Sequence, residues 1–255
     1  MDGRCYPPSE DSYLLLDGCI DWVNRHFSAS SIEQFPLLFL EVGCAGAYVL
    51  EALIRALEPP SLAARQVHAR APPATTPRFA FFLGSDINLE ALRLAREQLA
   101  SLPVDLVCCS LLTALRADIV DVVAFNSPYV ETSPTELREA QRHRDLRASW
   151  AGGRLGLEVA AELIAQFAFA SSSDATTWRR RIAWLLLVTQ DRPCWQLALM
   201  ANACGLIERR RVGDERLIMV SMDRHQAKQW CETLWSDFCT EQRIEPEVRV
   251  RTFAK

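Results

Sequence analysis

The sequence lacks the features that define several large classes of protein. Its nine cysteines contain no Cys-x-x-Cys pair, and four isolated histidines offer no metal-ligand spacing. This favours reduced, buried cysteines over a disulfide framework or a zinc site. No apolar run reaches the ~18 residues that cross a bilayer, and the first eight residues do not form an apolar signal segment. We therefore expect no bound metal, no membrane association, and a protein of the cytosol, or of both cytosol and nucleus.

An excess of positive charge is also lacking. The net charge is −4 and the isoelectric point is about 5.7, which provides no long-range attraction to a phosphate backbone. The short basic runs at 179–181 and 209–211 are interpreted as solvated ends of strands and loops. Nucleic acid is therefore not expected as a partner.

The length of 255 residues and the 49% hydrophobic content suffice for one large core. We predict one α/β domain over residues 1–223 and a C-terminal helical extension over 224–255. Proline-rich residues at about 58–78 and polar residues at about 170–180 predict two surface insertions.

Apolar runs bounded by turn residues predict strands that alternate with helices. The strands are expected at 36–42, 79–83, 104–109, 119–125, 182–189, 206–212 and 215–222. One helix is expected to begin at Ser9, and a second helix, after the first strand, is expected to end at Leu57. Further helices are expected at 89–99 with Asn88 as N-cap, at 155–169, at 194–204 with Gly205 closing the helix, and from Arg224 onward. Residues 131–148 are expected to be irregular.

A candidate binding motif, Asn126-Ser127-Pro128-Tyr129, follows the fourth strand. The Asn126 amide oxygen and the Ser127 carbonyl can accept both hydrogens of a planar –NH2 group, and Tyr129 offers a flat wall beside them. Open α/β sheets bind ligands at this carboxyl end of their strands. The motif therefore predicts a holder for an amine or amide nitrogen, although a simple Ser-Pro turn would explain the same residues.

Two further strand ends carry acids. Glu41 precedes a turn of small residues that includes Gly43 and Gly46, and Asp86 lies just past the second strand. A small-residue turn lets the backbone approach a ligand, and an acid after the second strand can hold a ribose diol. Because Asn88 caps the next helix, we expect Asp86 to be free for the ribose. Ala45 and Ala47 are expected to require negative φ.

These residues carry a resemblance to a known family. Residues 126–129 resemble the Asn-Pro-Pro-Tyr motif of class I methyltransferases, and the closest similarity is to the HemK-type glutamine methyltransferases of the eukaryotic release-factor branch. Residues 6–12 and the Trp-Ala-Gly-Gly-Arg stretch at 150–154 resemble two further motifs of that family. The similarity extends from about Tyr6 to Asp223. It implies a Rossmann-like class I methyltransferase fold, with a seven-stranded, mostly parallel sheet and a C-terminal antiparallel β-hairpin.

The resemblance also implies a ligand set centred on S-adenosylmethionine. The residues expected to contact the cofactor are Glu10, Asp11, Ser12, Glu41, Gly43, Gly46, Asp86, Ile87, Ser110 and Asn126. The residues expected to contact the substrate are Asn126, Ser127, Pro128, Tyr129, Trp150, Gly152 and Gly153, with Asn126 and Tyr129 as the catalytic pair.

The implied reaction is N5-methylation of the glutamine in the Gly-Gly-Gln loop of a class I translation termination factor. The implied partner is a small zinc-binding methyltransferase activator that pairs with the edge strand at 104–109. Ser127, Ala45, Ala47 and Ser110 depart from the family pattern, and the missing proline at position 127 predicts a looser holder.

Two alternatives remain open at this point. An adenine N6-methyltransferase could use the same holder with Tyr129 stacked on a flipped base. A catalytically impaired paralogue could keep the fold and act only as a binding partner.

Overall fold

The computed structural model describes residues 5–26, 37–57, 79–116, 119–170 and 183–235. Its centre is one sheet of seven strands. The strands are β1 (Leu37–Val42), β2 (Phe79–Asp86), β3 (Val104–Cys108), β4 (Val122–Asn126), β5 (Trp184–Gln190), β6 (Gly205–Val212) and β7 (Glu215–Asp223). The spatial order is β3-β2-β1-β4-β5-β7-β6. The first five strands run parallel and β7 pairs antiparallel with both β5 and β6, which confirms the predicted fold class.

Helices cover both faces of this sheet, as a parallel sheet requires. They are α1 (Glu10–His26), α2 (Tyr48–Leu57), α3 (Leu89–Gln98), α4 (Pro134–His143), α5 (Glu158–Ala168), α6 (Pro193–Met200) and α7 (Arg224–Gln229), which continues into a π-helical turn, Trp230–Trp235. Short 3-10 turns occupy Leu146–Ser149 and Arg154–Gly156. No helix among the described residues has the length and apolarity needed to cross a membrane.

The core forms two layers, one on each face of the sheet. On one face, α1, α2 and α3 pack their apolar sides, including Leu14, Trp22 and Leu53, against the strands. On the other face, α5, α6 and residues 224–235 pack together, and Trp195, Trp230 and Trp235 stack in sequence within that layer. The central strands are buried on both faces, which explains why they are continuous apolar runs rather than alternating ones.

The strand expected at 119–125 begins three residues later and ends one residue later, at Asn126. Ile119 lies outside the strand and is 37% exposed, whereas β4 begins at Val122. The buried carboxylate of Asp121 accepts a hydrogen bond from the Leu38 backbone amide at 2.8 Å. Asp121 therefore anchors the start of β4 through its side chain, and the apolar run alone did not reveal this boundary.

Two helix predictions were wrong at their ends and one helix was missed. Helix α6 ends at Met200, and Gly205 begins β6 instead of closing the helix. Helix α5 begins at Glu158, after a turn in which Leu155 has φ of 55°. The stretch expected to be irregular contains α4, which begins with a capping box between Ser133 and Glu136. The two expected insertions fall almost entirely outside the described residues, as does the end of the C-terminal extension.

Candidate functional site

A cavity of about 690 Å³ opens at the carboxyl ends of β1, β2 and β4. Parallel strands present these ends at one edge of the sheet, which is why residues far apart in the sequence meet there. The predicted site residues that line the cavity are Asp11, Ser12, Glu41, Gly43, Gly46, Asp86, Ile87, Ser110, Asn126, Ser127, Pro128, Tyr129 and Trp150. The structure thus brings together the N-terminal segment, the small-residue turn, the second acid and the candidate motif.

Three predicted site residues lie elsewhere. The Glu10 carboxylate lies 4.0 Å from the Arg210 guanidinium, outside the cavity lining. A Cβ atom at Gly152 would lie 2.5 Å from the Pro128 carbonyl oxygen, and one at Gly153 would lie 2.8 Å from the Glu158 side chain. These two glycines permit close packing behind the site, and neither contributes to the cavity wall.

The turn after β1 corrects the expectation that its alanines need negative φ. Ala45 has φ of 46° and Ala47 has φ of 63°, and both are therefore left-handed, as is Gly43 with φ of 65°. The left-handed conformation costs an L-residue about 1–2 kcal/mol. The fold therefore imposes on these alanines the backbone path that glycine would follow, at a cost in stability.

Glu41 is an acid held in an apolar setting beside this turn. The residue is only 4% exposed, and its Oε2 atom has no hydrogen-bond partner among the described residues. Burial raises the pKa of its carboxyl well above the usual value, and the nearby Asp86 charge raises it further, while the Leu50 backbone amide opposes the shift. An unpaired acceptor on a cavity wall is suited to a cationic donor such as an ammonium group.

Both carboxylate oxygens of Asp86 accept backbone hydrogen bonds, which the expectation of a free Asp86 did not include. Its Oδ2 accepts from the Ala45 backbone amide at 2.9 Å, and its Oδ1 accepts from the Asn88 amide at 2.7 Å. Asn88 does cap α3, as predicted. Burial raises the pKa of Asp86, and these backbone amides partly offset the shift. Because a carboxylate oxygen can accept more than one hydrogen bond, Asp86 both fixes the turn and keeps acceptor capacity towards the cavity.

In the candidate motif, the Asn126 side-chain oxygen has no partner among the described residues, whereas Ser127 is hydrogen-bonded to β5. Asn126 ends β4, and its Oδ1 atom is buried without a partner among the described residues. Ser127 is 2% exposed, and its amide and its hydroxyl both donate to the Val188 carbonyl of β5, at 3.0 and 2.9 Å. The Ser127 hydroxyl therefore restrains the backbone at the position where the Asn-Pro-Pro-Tyr motif has a proline. This hydrogen bond offsets the looseness that the missing proline predicts.

Tyr129 links the motif to the N-terminal helix. Its hydroxyl donates to Asp11 Oδ2 at 3.1 Å. Burial and the Asp11 charge raise the pKa of Tyr129 above its ordinary value, so that the phenol stays a donor. Asp11 also accepts from the Ser12 backbone amide at 2.7 Å. Helix α1 is thereby attached to the motif at the edge of the cavity.

The Trp-Ala-Gly-Gly-Arg stretch supports the motif from behind. The Val130 amide donates to the Trp150 carbonyl at 3.0 Å, and the Gly152 amide donates to the Val130 carbonyl at 2.8 Å. A Cβ atom at Gly156 would lie 1.9 Å from the Tyr129 carbonyl oxygen. The backbone around Tyr129 can follow its path only because Gly152 and Gly156 lack side chains.

One wall of the cavity was not found from the sequence. Gln141, Asp145, Leu146, Ala148 and Ser149 line it from the end of α4 and the turn that follows. The available signal was Ser133-Pro134 with Glu136, a helix start that would have turned an irregular segment into a helix. The described residues contain no group of three or more side chains suited to holding a metal ion.

Known proteins are similar to part of this chain. No family model matches the chain. The methyltransferase HEMK2 of Mus musculus is 33% identical over 162 residues, and that of Homo sapiens is 31% identical over the same length. The matched region spans 60% of this chain and 60% of each of these relatives. Over this region the chain is similar to the HEMK2 methyltransferases, and the match spans less than two thirds of their length.

Solved structures agree on the fold. The E. cuniculi Mtq2–Trm112 complex, described as responsible for the methylation of the eRF1 translation termination factor, matches with a TM-score of 0.50 and 22% identity over 86% of this chain and 98% of that chain. The T. thermophilus 16S rRNA methyltransferase RsmC, solved with AdoMet and guanosine, matches with a TM-score of 0.50 and 12% identity over 85% of this chain and 43% of that chain. The chain therefore has the class I methyltransferase fold.

Proposed function

We propose that the chain is an S-adenosylmethionine-dependent methyltransferase that methylates the N5 atom of a glutamine side chain, in the Gly-Gly-Gln loop of a class I translation termination factor. The observation that carries the proposal is the buried, unpaired Oδ1 atom of Asn126 on the cavity wall. An unpaired buried acceptor costs about 1–3 kcal/mol, and a donor supplied by the substrate would remove this cost. The HEMK2 relatives and the Mtq2 structure support the assignment of that donor to a glutamine amide.

The cavity also fits the cofactor. The unpaired Glu41 Oε2 can accept from the ammonium group of the methionine part, while Asp86 retains acceptor capacity for a ribose diol. Burial favours the neutral form of Glu41, and a bound cation beside it would favour the carboxylate. When bound, S-adenosylmethionine supplies a methyl group activated by its sulfonium centre.

The chain's own contribution to the reaction is positioning. An amide nitrogen is a poor nucleophile because its lone pair is delocalised, and the Asn126 oxygen and the Ser127 carbonyl would hold its two hydrogens in a fixed plane. Holding reactants in this way is worth up to ~7–11 kcal/mol in ideal intramolecular systems. The paired bonds from Ser127 to Val188 and the bond from Tyr129 to Asp11 keep the holder from moving.

A small zinc-binding activator is proposed as the partner at β3. This strand is at the edge of the sheet, where Leu106 and Val107 are half-buried and Cys108 is exposed. The neighbouring Phe81 of β2 is 59% exposed. An apolar edge without proline or lysine is open to pairing with another chain. Exchange of the exposed Cys108 for lysine is expected to weaken copurification of the activator, and unchanged copurification would contradict this interface.

The test uses the full chain co-expressed with the activator. Calorimetry with S-adenosylmethionine measures cofactor binding, and mass spectrometry of a termination factor measures methylation of its glutamine. Asn126→Ala should abolish transfer and leave cofactor affinity near that of the parent, because the residue holds the acceptor nitrogen. Full transfer by this variant would refute the mechanism. Absence of cofactor binding by the parent would instead indicate the impaired paralogue.

A further inference from the structure

A second concave surface lies beside β6 and β7, and we call it the arginine groove. Its lining includes Arg192, Arg209, Arg211 and Arg216, together with Asp191 and the first half of α6. Arg210 also borders the groove, although its guanidinium group reaches Asp17 of α1. Residues Arg209, Arg211 and Arg216 are exposed, and Arg192 is half-buried. Four guanidinium groups gathered in one groove are unusual in a chain whose net charge is −4.

The strand register explains why these arginines share one face. Arg211 pairs directly with Arg216 across the β6–β7 ladder, so that both project to the same side of the sheet. Arg209 pairs with Ile218, whose side chain belongs to the core layer beneath α6. Arg210, the residue between them, points to the opposite face. The basic run at 209–211 is therefore divided between two faces of the sheet and is not a single solvated strand end.

The charge of Arg210 is neutralised on the α1 side of the sheet, whereas part of the positive charge in the arginine groove is not paired among the described residues. Arg210 donates to Asp17 and to Glu208, each at 3.0 Å. In the groove, Arg209 lies 3.3 Å from Asp191. Within the described residues, Arg211 and Arg216 form no ion pair, although like charges placed directly across a ladder destabilise it.

Arg192 adds a further unpaired group. Its Nε atom is buried without a partner among the described residues. A Cβ atom at Gly156 would lie 3.3 Å from Arg192 Nη2 and 1.9 Å from the Tyr129 carbonyl oxygen. The groove therefore adjoins the loop that carries the Asn126–Tyr129 motif.

We propose that the arginine groove binds an acidic segment of the methylated protein, outside the loop that enters the cavity. Guanidinium groups bind carboxylates through paired, charge-assisted hydrogen bonds, and a bound carboxylate would relieve the repulsion between Arg211 and Arg216. Assigning this segment to the methylated protein rests on the proposed function, whereas the affinity of the groove for carboxylates does not. Nucleic acid is disfavoured because binding to its backbone needs a row of cationic contacts over a longer surface.

The binding test measures fluorescence anisotropy of a labelled peptide of about eight glutamates at low salt and at about 0.15 M salt. The full chain, copurified with its activator, is compared with the double variant Arg211→Glu/Arg216→Glu. We expect this variant to bind the peptide about tenfold or more weakly, since two favourable charge contacts become unfavourable. The matched control is Arg93→Glu/Arg96→Glu on the exposed side of α3, which makes the same change in net charge and should alter binding by less than about twofold.

Three results would overturn the proposal. They are no peptide binding by the parent protein, equal losses in the two double variants, and tighter binding of a mixed-sequence single-stranded RNA that depends on the same arginines. Calorimetry with S-adenosylmethionine on the same preparations separates the two proposals, because loss of cofactor binding would refute the enzymatic function without affecting the peptide result. With an unmethylated termination factor as substrate, Arg211→Glu/Arg216→Glu should raise KM about tenfold and leave kcat within about twofold.

Discussion

Replacing Glu41 by glutamine should have opposite effects on the empty protein and on cofactor binding. The carboxylate is buried, one of its oxygens is unpaired among the described residues, and its pKa is raised chiefly by burial. Glu41→Gln retains the shape of the side chain and removes its ability to ionise. The variant should therefore be more stable than the parent at neutral pH but bind S-adenosylmethionine less well.

The pH dependence of the stability difference follows from the direction of this shift. An acid whose pKa is higher in the folded state contributes its full stability below the unfolded value, about 4.3, and loses that contribution as pH rises through the folded value. Each unit of difference corresponds to about 1.4 kcal/mol. The free energy of unfolding of Glu41→Gln, relative to the parent, should therefore increase with pH above about 4.3 and level off once the raised pKa is passed.

The magnitude of the binding effect follows from the bond that is lost. A hydrogen bond to a charged group contributes about 1.5–3 kcal/mol, so cofactor affinity should fall by about 10- to 150-fold. Urea denaturation between about pH 4.5 and pH 8 measures the stability difference, and calorimetry measures the affinity.

Glu51→Gln provides a control of opposite sign. Glu51 is an acid whose pKa is lowered, mainly by hydrogen bonds from Gln98 and Arg55. Its contribution to stability is present above the unfolded pKa and is lost as pH falls, so the Glu51→Gln difference should change only at acidic pH. A stability difference for Glu41→Gln that does not change with pH, or an unchanged cofactor affinity, would refute the reasoning about Glu41.

Three further predictions concern the backbone of the site, and urea denaturation checks each. Gly156→Ala should lower the free energy of unfolding by at least about 2 kcal/mol more than Gly213→Ala. Both positions have positive φ, but only a Cβ at Gly156 would meet the Tyr129 carbonyl oxygen. Equal losses of stability in the two variants would contradict this contact. Ala45→Gly should stabilise the protein by about 0.5–1 kcal/mol. Glycine relieves the strain of the left-handed conformation, and part of this gain is offset because glycine also raises the entropy of the unfolded chain. A loss of stability would exclude such strain. Ser127→Pro should cost about 1–3 kcal/mol, because it removes both hydrogen bonds to β5, and it should not accelerate methyl transfer; a faster rate would show that looseness limits the reaction.

Much of the fold could be predicted from local patterns. The apolar runs of β1, β5 and β7 identified the strands because each is buried by neighbours on both faces. Gly213-Asp214 identified the hairpin, and Asn88 identified the start of α3, because turns and caps are set by residues close in sequence. Helix α4 was missed although its capping box was present, since its polar composition hides the apolar side that packs against the core.

The sequence by itself determined which chemical groups reach the carboxyl edge of the sheet, because a strand's direction and its last residue are local properties. The tertiary structure alone decided how those groups are used. Among the described residues, the Asn126 Oδ1 atom has no partner, whereas Ser127 is held by a residue 61 positions away and Tyr129 by an acid 118 positions away. Likewise, Arg209 and Arg210 are adjacent in the chain, but their side chains lie on opposite faces of β6, one paired with Asp191 and the other with Asp17 of α1. Such pairings depend on packing between distant segments, and no local pattern in the chain encodes them.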